Sequence, residues 1–457
     1  MNHHSLVCRL GASDTAPVTP ARPDSHVTEV SFIDGYRRLG FGLGQALDYL
    51  RELGLRPSEP AVDLALLAAA LTAADTRISR ASESQNAWTR EIDLHVPVSD
   101  PAAWSAVAPL IVTTLNFLTG DRWGVMFRSR LASMGTLATA PAKLRTANPD
   151  SVCLFSGGLD SFIGAIDLFA GGGTPMLVSH YWDGITSTHQ TYCAQVIKKR
   201  FPGQAFHHLR ARVGFPNDLV AGSGGENTLR GRSFLFFALA ALAADAIGGA
   251  VMIHVPENGL ISLNVPLDPS RLGALSTRTT HPYYMARFNE LLGSLGLTSR
   301  LENAYRHQTK GAMAKGCADL ILLQREARHT MSCSSPAKAR YALDPSARQP
   351  KHCGHCVPCL IRRAAILEGW GADDTPYQIP DLKARVLDSS SAEGNHVRAF
   401  HLALSRLAKK PSRASLDIHR PGPLTDHPGD LPAYEAVYVE GLKEVGRLLA
   451  GVRARPR

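Results

Sequence analysis

The sequence has no run of about twenty apolar residues, the length a membrane-spanning helix requires. Its most membrane-like segment, residues 234–255, is uninterrupted only from Phe234 to Ala244; Asp245 ends the run and Gly248-Gly249 follow. A buried helix leading into a strand accounts for that pattern, so no membrane partner is expected. The N-terminus lacks the charged-then-apolar layout of a leader, because Asp14 and Pro17 break it, and a cytoplasmic protein is expected. A long basic run and an internal repeat are both missing, which excludes a polybasic tail and a solenoid. Charged residues make up only 19% of the chain and hydrophobic ones 44%, the balance of an ordinary soluble globular protein. The formal charge of +9 and the pI near 9.2 suit a protein that handles anionic nucleotides. They suit equally a solvated surface with a mild surplus of arginine; nucleic acid is possible as a partner but not required.

At 457 residues the chain is too long for one compact core, and three regions stand out. Residues 1–148 read as an accessory α/β or α+β domain, with helical stretches at 61–79 and 102–118 and strand-like ones at 91–96 and 123–128. Residues 138–150, with two prolines and no apolar periodicity, read as a connection. Residues 149–374 alternate short apolar runs with helical periods. Strands are predicted at 152–155, 175–182, 205–209 and 250–255, and helices at 159–170, 190–200 and 233–247. This βαβαβ order predicts a parallel sheet with helices on both faces and ligands at the carboxyl ends of its strands. Residues 375–457 read as a helical extension, with helices at 397–408 and 433–449, loops at 387–395 and 411–431, and a frayed end at 453–457.

The segment Ser156-Gly157-Gly158-Leu159-Asp160-Ser161 leaves a buried strand and opens a helix. Two glycines let the backbone turn tightly and aim its N–H groups at an anion. The hydroxyls of Ser156 and Ser161 add donors, and the helix start adds its positive dipole end. Asp160 only accepts; beside a polyphosphate it makes sense as a Mg²⁺ ligand. The Gly-Lys-Ser/Thr ending of a Walker A loop is missing. Downstream, Arg230 and Arg232 open the helix near Ser233, with Arg232 the better candidate ligand. Lys310 stands at another helix start, where it opposes the dipole unless an anion is bound.

Cysteine is scarce and unevenly spread: Cys353, Cys356 and Cys359 lie at x₂ and x₂ spacing, with Cys333 upstream. Such spacing lets several sulfurs converge on one ion, and four thiolates without an open position describe structural zinc. His352 and His355 are possible substitutes or outer-shell groups, and Lys351, Arg362 and Arg363 would offset the site's negative charge. An iron–sulfur cluster is the competing reading, but Arg363 stands where the ferredoxin run needs its fourth cysteine.

The loop matches the SGGxDS signature of PP-loop ATP pyrophosphatases. Together with the single cysteine and the Cys-x₂-Cys-x₂-Cys-x₂-Arg run ending at Arg362, it resembles the 7-cyano-7-deazaguanine synthase (QueC-like) family over residues 152–366. Thr309-Lys310 looks like the family's Thr-Lys pair and Arg232 like its Arg-Asn arginine. Ser233 replaces the asparagine, Ala312 replaces an acidic residue, and a Tyr-Gly-Gln-Arg-His motif is missing. A longer branch, the QatC proteins of Qat anti-phage defence systems, is similar in carrying an N-terminal extension and in the segments Pro256-Glu257-Asn258-Gly259, Asn264-Val265-Pro266 and Thr280-His281-Pro282. The resemblance implies an adenine nucleotide alpha hydrolase-like fold, with ATP, Mg²⁺ and Zn²⁺ as cofactors. It also implies a 7-deazaguanine-type acid that is adenylated, releasing pyrophosphate, and passed to ammonia or another amine. A protein of the same defence system is a possible partner.

Asp160, Lys310 and Arg232 are then the catalytic candidates. Ser156, Gly157, Gly158, Leu159, Asp160 and Ser161 would hold the phosphates, while His180 and Trp182 would flank adenine. Glu257, Asn258 and Asn264, just after the fourth strand, would read the base edge. Cys333, Cys353, Cys356 and Cys359 would hold the metal. Three other readings stay open: a housekeeping synthase of queuosine biosynthesis, a PP-loop tRNA sulfurtransferase with an iron–sulfur cluster, and a non-catalytic ATP-binding scaffold.

Overall fold

The computed structural model describes residues 2–456 except 34–37, 86, 142, 227, 229, 269–277, 335 and 337–347. Two wholly parallel sheets frame the chain. The first joins β1 (His3–Arg9), β2 (His26–Ser31), β3 (Glu91–Val98) and β4 (Arg122–Ser129) in the order β2-β1-β3-β4. With it go α1 (Leu43–Glu52), α2 (Glu59–Arg77), the short α3 (Arg80–Glu83) and α4 (Pro101–Thr119). The second sheet joins β5 (Ser151–Leu154), β6 (Met176–His180), β7 (His207–Ala211), β8 (Met252–His254) and β9 (Arg300–Glu302) in the order β7-β6-β5-β8-β9. The helices around it are α5 (Leu159–Ala170), α6 (Gly184–Arg200), α7 (Arg232–Ile247), α8 (Gly259–Leu263), α9 (Pro282–Ser294), α10 (Lys310–Lys315) and α11 (Leu320–Glu326). Strand order reverses between β5 and β8, so the crevice beyond their carboxyl ends is where such a sheet binds ligands.

The α/β expectation with parallel sheets holds. The N-terminal unit is α/β rather than α+β, since β1 and β2 complete a parallel sheet that sequence patterning missed. The sequence reading also missed α1, α9 and the edge strand β9. Helix α6 starts at Gly184, earlier than expected, because the Asp183 carboxylate accepts from the Thr186 N–H and caps it.

Helices α2 and α7 are alanine- and leucine-rich on every side and are buried on every side. They pack on each other; α2 also meets β3, and α7 meets β5, β6 and β8. One hydrophobic core therefore runs from the first sheet to the second. The segment 234–255 lies in that core. Among the described residues it is α4 that is long and apolar enough to cross a membrane; it packs on β4 and α9 and buries Trp104, Ile111 and Leu115.

A buried charge network fastens the two halves. The Arg90 guanidinium donates to Asp75 and Asp121, each at 2.7 Å, and Arg80 pairs with Asp121 and, at 3.6 Å, with Glu226. The Gly231 N–H donates to Asp75 at 2.8 Å, so α2 also holds the start of α7. Burial works to raise Asp121, but the Arg90 and Arg80 guanidiniums hold it below the ordinary carboxylate range. Asp121→Ala leaves two guanidiniums buried and underpaired and should cost about 3–5 kcal/mol in urea unfolding. In the wild type the contribution of Asp121 is complete above the ordinary carboxyl pKa of about 3.9. It is lost as pH falls through the lower native value, so the mutant's deficit should shrink in that acid window.

The C-terminal part carries α12 (Val357–Trp370), β10 (Leu387–Asp388), α13 (Ala392–Lys409), α14 (Ala414–Asp417), α15 (Leu431–Leu448) and β11 (Ala454–Arg455). The end expected to fray is pinned: β11 pairs with β10 in parallel, and β10 and the start of α13 occupy the supposed loop at 387–395.

Candidate functional site

The loop after β5 turns through Gly157, whose φ of +78° is left-handed; a Cβ there would also come within 3.1 Å of Gln190. The Ser156 hydroxyl lies 3.1 Å from that of Ser161 and accepts from the Gly158 N–H at 3.3 Å. The Ser161 hydroxyl donates to the Gly158 carbonyl, and the Leu159 N–H donates to the Ser332 hydroxyl at 3.3 Å. Ser156 is exposed and Gly158 half-buried. The loop thus sits at the strand-order reversal with α5 opening behind it, an arrangement that can receive an anion.

Asp160, in the first turn of α5, is buried beneath the loop. One carboxylate oxygen lies 3.0 Å from the Lys310 ammonium. The other accepts from the Asn258 backbone N–H at 3.2 Å and side-chain amide at 2.7 Å. Lysine at the start of α10 thus meets an anion, and it is Asp160. Burial works to raise Asp160, but Lys310 and hydrogen bonds from Glu257 and Asn258 outweigh it, and the carboxyl lies below its usual range. Burial and the neighbouring Asp160 charge push Glu257 well above the ordinary carboxyl value. Two carboxyls and one lysine thus meet behind the loop, and carboxylate oxygens are the donors Mg²⁺ takes.

Asn258 is not free to read a base edge. Its amide is spent on Asp160 and Glu257, and its carbonyl oxygen accepts from the Ile261 N–H to cap α8. Asn264 closes the far end of α8 with φ of 51°, a left-handed C-cap. Glu257 and Asn258 of this trio join the Asp160 cluster.

The sulfurs of Cys333, Cys353, Cys356 and Cys359 all lie within 4.8 Å of one another and are buried, and they could hold a metal ion such as zinc. Cys353 and Cys359 are 3.8 Å apart. A tetrahedron with metal–sulfur bonds near 2.3 Å has sulfurs roughly 3.8 Å apart, so the set fits. Backbone N–H groups of Cys353 and Cys356 donate to neighbouring sulfurs, the usual support for thiolates. The cluster is fastened to the Ser156–Ser161 loop: the Met331 N–H donates to the Gly157 carbonyl at 2.8 Å, while Ser332 contacts Leu159. The Ser332 N–H in turn donates to His352 at 3.1 Å, which places that histidine outside the sulfur set. Arg362 and Arg363 do not neutralise the sulfurs. Arg362 is spent on Ala327, Thr330 and Thr375, and Arg363 holds the backbone at Gly354, Ile379 and Pro380.

His180, Trp182 and Arg232 meet on a cavity of about 750 Å³. The Arg232 guanidinium lies 3.7 Å above the Trp182 ring. Burial and Arg232 push His180 down to about 3, so it is neutral; its Nε2–H donates to the Val213 carbonyl and its Nδ1 has no partner among the described residues. Residues 156–161 do not line this cavity. They adjoin it: the Gln190 amide donates to the carbonyls of both Ser156 and His180, and Ser334, two residues beyond Ser332, lines the wall. Arg230 is elsewhere, donating to the Thr119 carbonyl.

Sequence reasoning missed Glu444. From α15 this buried carboxylate accepts from the Thr309 hydroxyl and the Gly311 N–H, on either side of Lys310. A Cβ at Gly311 would lie 2.6 Å from it, so glycine is what admits the contact. No sequence signal marks a glutamate more than a hundred residues downstream. Glu444→Ala strands the Thr309 and Gly311 donors and should cost about 1–3 kcal/mol in urea unfolding. Glu444→Gln, which keeps an acceptor, should cost less.

No family model matches the chain, and no curated protein matches it.

Proposed function

We propose that this chain is a QueC-like PP-loop enzyme that uses ATP to adenylate the carboxylate of a 7-deazaguanine-type acid and transfers the acyl group to an amine, in an anti-phage defence system. The observation that carries this reading is the Ser156–Ser161 loop at the strand-order reversal, with Asp160 buried between Lys310 and Glu257 behind it. Backbone N–H groups and serine hydroxyls there suit a triphosphate, and His180 and Trp182 suit the adenine ring.

In the reaction, a carboxylate oxygen of the acid bonds to the α-phosphorus and the bond to pyrophosphate breaks. The amine nitrogen then bonds to the acyl carbon, AMP leaves, and the nitrogen gives up a proton. The loop donors, Lys310 and Arg232 stabilise charge on the phosphates as it moves. Asp160 and Glu257 would hold Mg²⁺, which supplies further charge neutralisation on the phosphates. The four cysteines would hold zinc with no open position, a structural role beside the loop. Incubation with ATP, Mg²⁺, 7-carboxy-7-deazaguanine and ammonia should yield AMP and the amide of the base by mass spectrometry, or its nitrile where a second ATP activates the amide oxygen, which leaves as a second AMP. If AMP forms only when a co-encoded protein is added, that protein carries the amine. No AMP under either condition refutes the reading.

A further inference from the structure

The cavity beside the loop is larger than one purine base needs, and the N-terminal unit builds its outer wall. Arg77 of α2 and Phe41, just before α1, face Arg212 and Phe215, which follow β7. The two walls are seated without slack. Gly42, at φ of +91°, leaves no room for a Cβ against the Arg212 carbonyl, and the Arg77 guanidinium donates to the carbonyls of Phe215 and Pro216. Phe41 and Phe215 form a tilted pair, 4.5 Å between ring centres.

The charge inventory of this space is one-sided. Arg77 donates only to backbone carbonyls, Arg232 lies on Trp182, and Arg212 is exposed with no ion-pair partner among the described residues. The cavity's carboxylates, Asp75 and Glu226, are turned to the buried network: Asp75 to Arg90 and the Gly231 N–H, Glu226 to the Arg80 N–H and guanidinium. Three guanidiniums thus face a space whose own anions are already matched. Trp182, 39% exposed, supplies flat apolar surface beside them, and half-buried Phe41 and buried Phe215 add to the wall. A cationic chain such as a lysine-bearing peptide would be repelled here; a flat anion is attracted.

We propose that this outer part of the cavity binds a planar heteroaromatic carboxylate, the acid to be activated, with Arg212 and Arg77 as its charge partners. The N-terminal unit is then a specificity element for that acid. The inference rests on the adenylation reading above. It also places the acid on the β6–β7 side of the loop rather than at Asn258 and Asn264, which the structure uses as helix caps.

The test uses the full chain and the exposed residue. In acid-dependent exchange of labelled pyrophosphate into ATP, Arg212→Ala should raise the KM for 7-carboxy-7-deazaguanine by about tenfold or more, the loss of one charge-assisted hydrogen bond. The KM for ATP should stay unchanged, and Arg212→Lys should recover part of the loss. An unchanged KM for the acid overturns the proposal. So does a rise in the KM for ATP alone, which would give Arg212 to the nucleotide while leaving adenylation intact. If the wild type shows no exchange, the adenylation reading fails, and the cavity is judged by binding alone. Titration with the same carboxylate should then quench Trp182 fluorescence, a signal missing in Trp182→Phe and weakened in Arg212→Ala. No quenching overturns the cavity proposal too.

Discussion

Asp160→Ala should lower acid-dependent pyrophosphate exchange by about a hundredfold to a thousandfold, the range for losing one element of charge stabilisation, here the group that holds Lys310 in place and would hold Mg²⁺. Three partners converge on that carboxylate: Lys310 at 3.0 Å, and the backbone and side-chain N–H groups of Asn258. Removing it leaves the Lys310 ammonium buried without its anion and releases Glu257 from the charge that raises it. Stability should therefore fall as well, by about 3–5 kcal/mol. Asp160→Asn separates the two effects. The amide keeps the shape and an acceptor, so unfolding in urea should be affected less than in the alanine variant, while exchange should be lost to a similar degree. Exchange near the wild-type rate in either variant, with the fold intact, would show that Asp160 has no part in catalysis.

The second large effect is expected at the cysteines. Cys356→Ser should abolish stable metal binding and also weaken nucleotide binding at the loop. The link is Met331-Ser332: the first residue's N–H holds the Gly157 carbonyl and the second's hydroxyl accepts from Leu159, next to Cys333. A structural zinc site contributes on the order of 10 kcal/mol to ordering its own peptide. Its loss should free this segment and lower the thermal midpoint by roughly 10 °C, since each 1 kcal/mol shifts a domain of about 150–250 residues by about 2–4 °C and a longer chain by less. Metal analysis should give one zinc per wild-type chain and little in the variant. A variant that keeps both its midpoint and its nucleotide affinity would mean the cluster does not support the loop.

Local chemistry made the central pieces readable in advance. A buried strand, two glycines, two serines and a helix start are contiguous in the chain, and so are three of the four cysteines. The parallel second sheet followed from alternating apolar runs and helical periods. The missed elements share a different cause. Strand β1 begins His3-His4-Ser5 and β2 is half exposed at the sheet edge, so neither shows clean alternation, yet pairing with β3 orders β1 and through it β2. Pairing across the chain also orders Ala454–Arg455, which composition alone marks as a loose end.

Side-chain roles were readable only where one local motif decides them. Asn258 looked like a polar group at a sheet edge; a turn-capping bond to Ile261 and the arrival of Asp160 make it structural. Arg230 and Arg232 are two residues apart, but one reaches back to Thr119 and the other lies on Trp182. Glu444 reaches Thr309 from another helix, and the cavity wall at Arg77 and Phe41 comes from the N-terminal unit. Such contacts are settled by tertiary packing, which spacing along the chain does not encode.

In the proposed function the Ser156–Ser161 loop grips a triphosphate so that AMP can be passed to a carboxylate. Isotope exchange between pyrophosphate and ATP reads that step without needing the final amine. With Mg²⁺ and 7-carboxy-7-deazaguanine present, label should enter ATP, and none should enter when the acid is left out. Label entering ATP equally without the acid, or not entering at all, would contradict it.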